Sequence, residues 1–181
     1  MKKRCALAAC AAALIVLGAL HAGAQARLEV NLDWPLLIGW TSESTYLGND
    51  TVDVSQFRLL VPDFRAYYQF GEGLLTGGIG VRVPTLIVVS LIYPEGFVEV
   101  NVKPFSLEAT LGGFLFGAFG LGVGSFSVQP LVLSDLSASV ELAPWFRLGA
   151  GVYLIMPTDS TFSKNFAYIG YIGGRFIFMP K

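Results

Sequence analysis

The feature that most constrains this chain is alternation with a period of two. Leu28, Val30, Leu32 and Trp34 interleave with Arg27, Glu29, Asn31 and Asp33. Val98, Val100 and Val102 interleave with Glu99, Asn101 and Lys103, and Leu136, Ala138, Val140 and Leu142 with Asp135, Ser137, Ser139 and Glu141. Phe146, Leu148, Ala150, Val152, Leu154 and Met156 then alternate with Arg147, Gly149, Gly151, Tyr153 and Ile155. Successive side chains on a strand point to opposite faces, so each segment has one apolar face and one mostly polar or small face; a helix would mix the two sets around its surface.

Candidate strands on this basis are 27–40, 52–61, 64–71, 76–83, 85–93, 97–103, 106–116, 118–128, 134–143, 145–156 and 166–178. Most prolines fall between these runs, as expected for a residue without a ladder N–H. Pro94-Glu95-Gly96 and Pro62-Asp63 read as tight turns. Pro35 interrupts the first run and marks a bulge or the strand's end. The segment 85–93 does not alternate; it either extends its neighbour across Pro84 or forms a short buried helix. Bacterial single-chain barrels have an even number of strands, and membrane strands need about 9–11 residues, so some of these runs must merge. Chain length favours eight strands, with ten as the alternative.

Composition separates three architectures. Charged residues make up 14% of the chain and hydrophobic ones 54%, against about 25% charged in a soluble domain. A soluble sandwich or lipocalin-like barrel would alternate too, but its outer face would need more charge. A helical membrane protein would use 110–134, which has no charge, yet Gly112, Gly113, Gly117, Gly120, Gly122 and Gly124 crowd that stretch. The expected fold is therefore all-β: a closed, antiparallel, up-and-down transmembrane β-barrel with an apolar outside, a polar lumen and aromatic girdles. The 14 Phe, 7 Tyr and 3 Trp all lie beyond residue 24.

Residues 1–24 form an expected signal peptide, and 25–181 the barrel domain. Lys2, Lys3 and Arg4 precede an apolar run from Cys5 to Leu20, and small residues follow at Ala22, Gly23 and Ala24. Cleavage leaves Gln25 or Arg27 first. Leu7-Ala8-Ala9-Cys10 has the form of a lipoprotein box, but the apolar run continues well beyond Cys10. Cys5, Cys10 and His21, the only cysteines and histidine, all lie in this segment. Once it is removed, disulfides, zinc-finger sites, cysteine nucleophiles and Ser-His-Asp triads have no residues to use. No cofactor or metal is expected, and nothing in the charge pattern points to nucleic acid.

Arg82, Glu99, Glu141 and Arg147 sit on the strand face opposite Val81, Val98, Val140 and Phe146, so they are expected to point into the lumen and pair. Glu29, Asp33 and Glu108 could join them, with Arg65, Lys103 and Arg175 as partners. An eight-stranded barrel is just wide enough to be filled by side chains. The glycine clusters at 77–80 and 120–124 lack the following Lys-Ser/Thr of a phosphate loop and read as close packing in curved strands. Segments 41–51 and 157–165 are the best surface loops; Asp50 and Asp53 are too few carboxylates for a calcium site.

The chain ends on Phe166–Phe178. In it Tyr171, Gly173, Phe176 and Phe178 resemble the carboxyl-terminal assembly signal of Gram-negative outer-membrane β-barrel proteins, with a tyrosine at the polar position and Met179-Pro180-Lys181 following the usual terminal aromatic. Overall size resembles the small OmpA-like, OmpX-like and OmpW-like barrels. The resemblance implies a location in the cell outer membrane, outer-membrane lipid and the barrel-assembly machinery as partners, and a monomer. It also implies a structural, envelope-integrity or surface-interaction role rather than an enzymatic one. The alternative is a porin-like narrow channel for small or apolar solutes. A lipid-modifying enzyme ranks third, because such barrels use an active-site histidine.

Overall fold

A computed structural model describes residues 25–41, 50–57, 59–86, 89–120, 123–157 and 166–179. The proposed signal peptide, most of the first surface loop and nearly all of the second lie outside them. The strands are β1 (Gln25–Thr41), β2 (Asp50–Asp53), β3 (Val61–Phe70), β4 (Leu75–Leu86), β5 (Val89–Val102), β6 (Phe105–Gly120), β7 (Val123–Ala143), β8 (Phe146–Pro157) and β9 (Phe166–Phe178). Each pairs antiparallel with the next in the order β1-β3-β4-β5-β6-β7-β8-β9, and β9 returns to β1. The wall is thus an eight-stranded closed barrel, and β2 is a short ribbon on the outer end of β1. The closing seam runs from Leu28 opposite Phe178 to Thr41 opposite Phe166. Closure gives each of the eight wall strands a described partner on both sides, which a chain in lipid requires because no water is there to satisfy open backbone groups.

The candidate runs merge as length demanded. Segments 85–93 and 97–103 combine in β5, which begins at Val89, and 85–86 complete β4. Segments 106–116 and 118–120 form β6, and 123–128 joins 134–143 in β7. Most of 52–61 is not a wall strand: it holds the end of β2 and a single 3-10 turn, Ser55–Phe57.

Both expected proline turns are corrected. Pro62-Asp63 lies within β3, and Pro94-Glu95-Gly96 lies within β5 at a register shift between Ile92 and Glu95. Pro84 and Pro130 also lie inside strands. Irregular pairing absorbs the missing N–H groups: the ladder shifts at Pro35/Leu37 in β1, and at Gly113/Leu115 in β6, opposite the segment that contains Pro130. Gly113 has φ +116°, a conformation that favours glycine. Ladder partners bring the prolines together around the wall, since Asp63 faces Pro84 and Leu131 faces Pro157.

The two barrel ends differ. At one end the strands join through 71–74, 103–104 and 144–145, beside the start of β1 and the end of β9. At the other they join through 42–60, 87–88, 121–122 and 158–165. The short-turn end carries an aromatic cluster: Trp145 stacks on Phe176 with ring centres 6.1 Å apart, and Phe146 lies 5.0 Å from Phe176.

Sidedness follows the alternation. Leu28, Leu32, Val81, Val98, Val100, Leu107, Leu136 and Leu148 are exposed on the outside, while Arg27, Glu29, Asn31, Asp33, Arg82, Glu99, Glu108 and Asp135 are buried inside. That is the inverse of a water-soluble barrel and the arrangement a membrane-spanning barrel needs. No helix among the described residues is long and apolar enough to cross a membrane.

Candidate functional site

The candidate site is the barrel lumen. Alternation aims one side chain in two inward from every wall strand, and the inward residues are charged near the middle and lower parts of the strands. The basic members are Arg27, Arg65, Arg82, Arg147 and Arg175; the acidic members are Glu29, Asp33, Asp63, Glu95, Glu99, Glu108 and Asp135. Burying such charges is costly unless they are paired, and the pairing here is extensive.

Three groupings connect into one chain. Near the short-turn end, Glu99 is fully buried and accepts Arg27 Nη1 at 2.6 Å and Arg147 on its other oxygen. In the middle, Glu108 accepts Arg65 Nη1 at 2.9 Å and Arg175 Nη1 at 2.6 Å, and Arg27 approaches to 3.6 Å. Towards the loop end, Asp63 accepts Arg65 Nε at 3.0 Å and Arg82 Nε at 2.9 Å. Asp135 bridges the same two guanidiniums at 2.9 and 3.3 Å, and Glu95 takes Arg82 Nη1 at 3.0 Å. The path Arg147–Glu99–Arg27–Glu108–Arg65–Asp135–Arg82 therefore links seven of the eight wall strands from inside, all but β9.

Every lumenal base is arginine. A guanidinium has five donors in a planar fork and is weakly hydrated, so it can hold several carboxylates at once in a dry interior. Tyrosine hydroxyls satisfy further carboxylate oxygens: Tyr67 donates to Glu95, Tyr153 to Asp33, and Tyr171 to Asp135 at 2.8 Å. Rings also support the cations, with Arg27 4.9 Å above Phe97 and Arg82 4.6 Å above Tyr153.

Of the four lumenal residues expected from sequence, Arg82, Glu99 and Arg147 join this network. Glu141 does not. It lies at the last turn of β7, beside a register shift, and its carboxylate accepts Lys103 Nζ at 3.2 Å at the short-turn rim. Its ladder partner Arg147 turns instead to Glu99. Asp63, Glu95, Asp135 and the three tyrosine hydroxyls were not anticipated as network members. The signal for Asp63 and Glu95 was parity: one is two residues from Arg65, the other four from Glu99.

The assembly-signal residues divide between the faces. Tyr171 is buried in the lumen, stacked on Tyr153 with ring centres 4.5 Å apart. Phe178 is half exposed on the outside, and Phe176 packs with Trp145 and Phe146. Gly173 allows close approach, since a Cβ there would meet Asp33 Oδ1 at 2.3 Å and the Leu32 carbonyl at 2.9 Å.

Little free space remains between the network and the wall. A void of about 20 Å³ lies against Asn31, Asp33, Ser137, Tyr171 and Arg175, room for about one water molecule. Among the described residues no group of three or more His, Cys, Asp or Glu is arranged to hold a metal ion.

No protein-family model and no curated protein matches the chain. Solved structures do. Neisserial surface protein A matches at 15% identity and TM-score 0.47, over 85% of this chain and 98% of its own. The N-terminal β-barrel domain of Pseudomonas aeruginosa OprF matches at 9% and 0.46, over 86% and 99%. The outer membrane protein OprG from Pseudomonas aeruginosa matches at 9% and 0.37, over 87% and 97%. The chain is similar to these small barrels; its own closed, eight-stranded fold stands on the ladder from β1 round to β9.

Proposed function

We propose that this chain is a monomeric outer-membrane barrel with a structural role, in envelope integrity or in surface interaction through the loops at its long-connection end. The observation that carries the reading is the filled lumen. Arg27, Arg65 and Arg82 are each buried and each bind two or more carboxylates across the barrel axis. A solute passing through would have to break several charge-assisted hydrogen bonds together, and these are about twice as strong as neutral ones.

In this reading residues 1–24 are removed on export, the short-turn end faces the periplasm, and Tyr171, Gly173, Phe176 and Phe178 present the closing strand to the barrel-assembly machinery. Short periplasmic turns and longer outer loops are the usual asymmetry of such barrels. Membrane fractionation combined with heat-modifiable gel mobility tests the location. Planar-bilayer recording tests the role: the expected record is free of stable conductance steps. Reproducible steps from the purified barrel would overturn the structural reading in favour of a narrow channel.

A further inference from the structure

The lumen is short of positive charge. Among the described residues five arginines face seven carboxylates inside the wall. Six of those carboxylates each meet an arginine, whereas Asp33 takes only the Tyr153 hydroxyl, on its Oδ2. A buried charge without a counter-charge is costly. Hydrogen bonding leans the same way. Glu29 Oε2, Asn31 Oδ1 and Asp63 Oδ1 are buried acceptors without a donor among the described residues. Two buried donors are also unmatched, but Arg27 Nη2 ion-pairs with Glu29, and Trp34 belongs to the outward set of β1.

The void of about 20 Å³ lies at this deficit. It sits behind the closing seam, where Asn31 faces Arg175 and Asp33 faces Gly173 in the ladder. Asp33 Oδ1 lies over Gly173, in space that a side chain there would fill. Asn31 is 2% exposed, and its amide is held one way round, because Nδ2 donates to Asp63 Oδ2 at 3.2 Å. Its oxygen is thereby left as an acceptor without a donor, on a residue that lines the void. Ser137 and Tyr171 line it too. The Tyr171 hydroxyl donates to Asp135 and the Ser137 hydroxyl accepts Arg175 Nη2 at 3.2 Å, so each oxygen keeps a lone pair. Arg175 is a lining cation, but its guanidinium is directed to Glu108 and Ser137.

We propose that this void binds one monovalent metal ion, potassium by size, held by Asn31 Oδ1, Asp33 Oδ1 and the hydroxyl oxygens of Ser137 and Tyr171. Carboxylate and amide oxygens are the ligands a hard cation takes. Room for one water-sized body suits potassium, which is close to water in size, better than the smaller sodium ion. A divalent ion calls for more carboxylates than the one free here. A water molecule would satisfy Asn31 but leave Asp33 uncompensated, and a proton on Asp33 would leave the space unfilled. The ion ties β1 to β9 across the seam, so it binds the closed barrel and not the open chain. The proposal concerns the lumen alone and depends neither on the envelope role nor on the membrane placement.

The test uses the expressed chain purified in detergent. Urea unfolding is measured in potassium chloride, with ionic strength held constant by tetramethylammonium, which is too large for the void. Above the dissociation constant, each tenfold rise in potassium should raise the folding constant about tenfold, the linkage expected for a ligand that binds only the folded state. Asp33→Asn keeps an acceptor for Tyr153 but removes the charge, and should lose this dependence. Glu141→Gln, at the rim, should keep it. Crystals grown with thallous nitrate in place of potassium should show an anomalous peak between Asn31 and Asp33.

A folding constant that ignores potassium would overturn the proposal, leaving a water only. A barrel that ignores potassium but gains stability on acidification would carry the missing charge as a proton, and would overturn it equally. Full potassium dependence in Asp33→Asn, or a thallium peak elsewhere in the barrel with none at the void, would move the ion to another site and refute this one. Should Asp33→Asn fail to fold, the thallium peak of the wild-type barrel decides the outcome.

Discussion

Tyr171 donates its hydroxyl to the Asp135 carboxylate, 2.8 Å away inside the barrel, while occupying the polar position of the carboxyl-terminal pattern. One residue thus belongs both to the closing strand and to the charge network. Asp135 keeps Arg65 and Arg82 when that hydroxyl is removed. Tyr171→Phe should therefore assemble normally and lower stability by about 1.5–3 kcal/mol, the range for a hydrogen bond to a charged group. Urea unfolding of the barrel in lipid vesicles measures it, with an unchanged slope showing that only stability has moved.

Arg82 meets three buried carboxylates, Asp63, Glu95 and Asp135. Arg82→Met leaves three buried carboxylates short of a partner and should cost about 3–5 kcal/mol, the penalty for breaking a buried pair. Lys103→Gln removes an exposed partner of one ion pair and should cost about 1 kcal/mol or less. Comparable losses for the two in equilibrium unfolding would show that the lumenal charges are solvated rather than packed.

Depth in lipid gives a gradient along a single strand. Leu136 and Leu142 are both exposed on the outer face of β7, but Leu136 lies mid-strand and Leu142 at the last turn. An arginine facing lipid costs about 2–4 kcal/mol at the midplane and about 0–1 near an interface. Leu136→Arg should therefore be the damaging substitution and Leu142→Arg nearly neutral. Folding yield into vesicles, read by heat-modifiable mobility, checks the order; a reversed order would misplace the membrane on the barrel.

The closing strand makes the last case. Changing Phe176 and Phe178 together to Ser, or deleting 171–181, removes the aromatic end of β9 that pairs with Leu28 and Val30. The expected product is an exported, protease-sensitive chain without heat-modifiable mobility. A truncated chain that still inserts and resists protease would mean that β9 is not needed to close the wall.

Sequence alone carried the fold's sidedness. Val100 outside and Glu99 inside follow from their places in an alternating run, and the structure has them so. What alternation could not carry was continuity through proline. Asp63 and Glu95 each follow a proline, and a local reading turns the chain there, whereas β3 keeps its register with β1 through Pro62, β5 passes Pro94 at a register shift, and both carboxylates meet Arg82. Pairing choices were hidden for a different reason. Arg147 faces Glu141 in the ladder yet binds Glu99 from another strand, because a long side chain in a narrow lumen reaches across it. Glu141, at the rim, is left to Lys103.

The seam between β1 and β9 has a consequence for time rather than for structure. It joins the first described strand to the last, Leu28 against Phe178, so the contact that completes the wall has nearly the largest sequence separation the chain offers. Folding rates fall as contacts become more distant along the chain, because the entropy of loop closure must be spent before the contact rewards it. Until the seam forms, both outermost strands have unpaired edges, and such edges template pairing with other chains. The chain's hazardous state is therefore the nearly complete barrel, and the interval between pairing β8 with β9 and zipping β9 to β1 is when aggregation competes most directly with insertion.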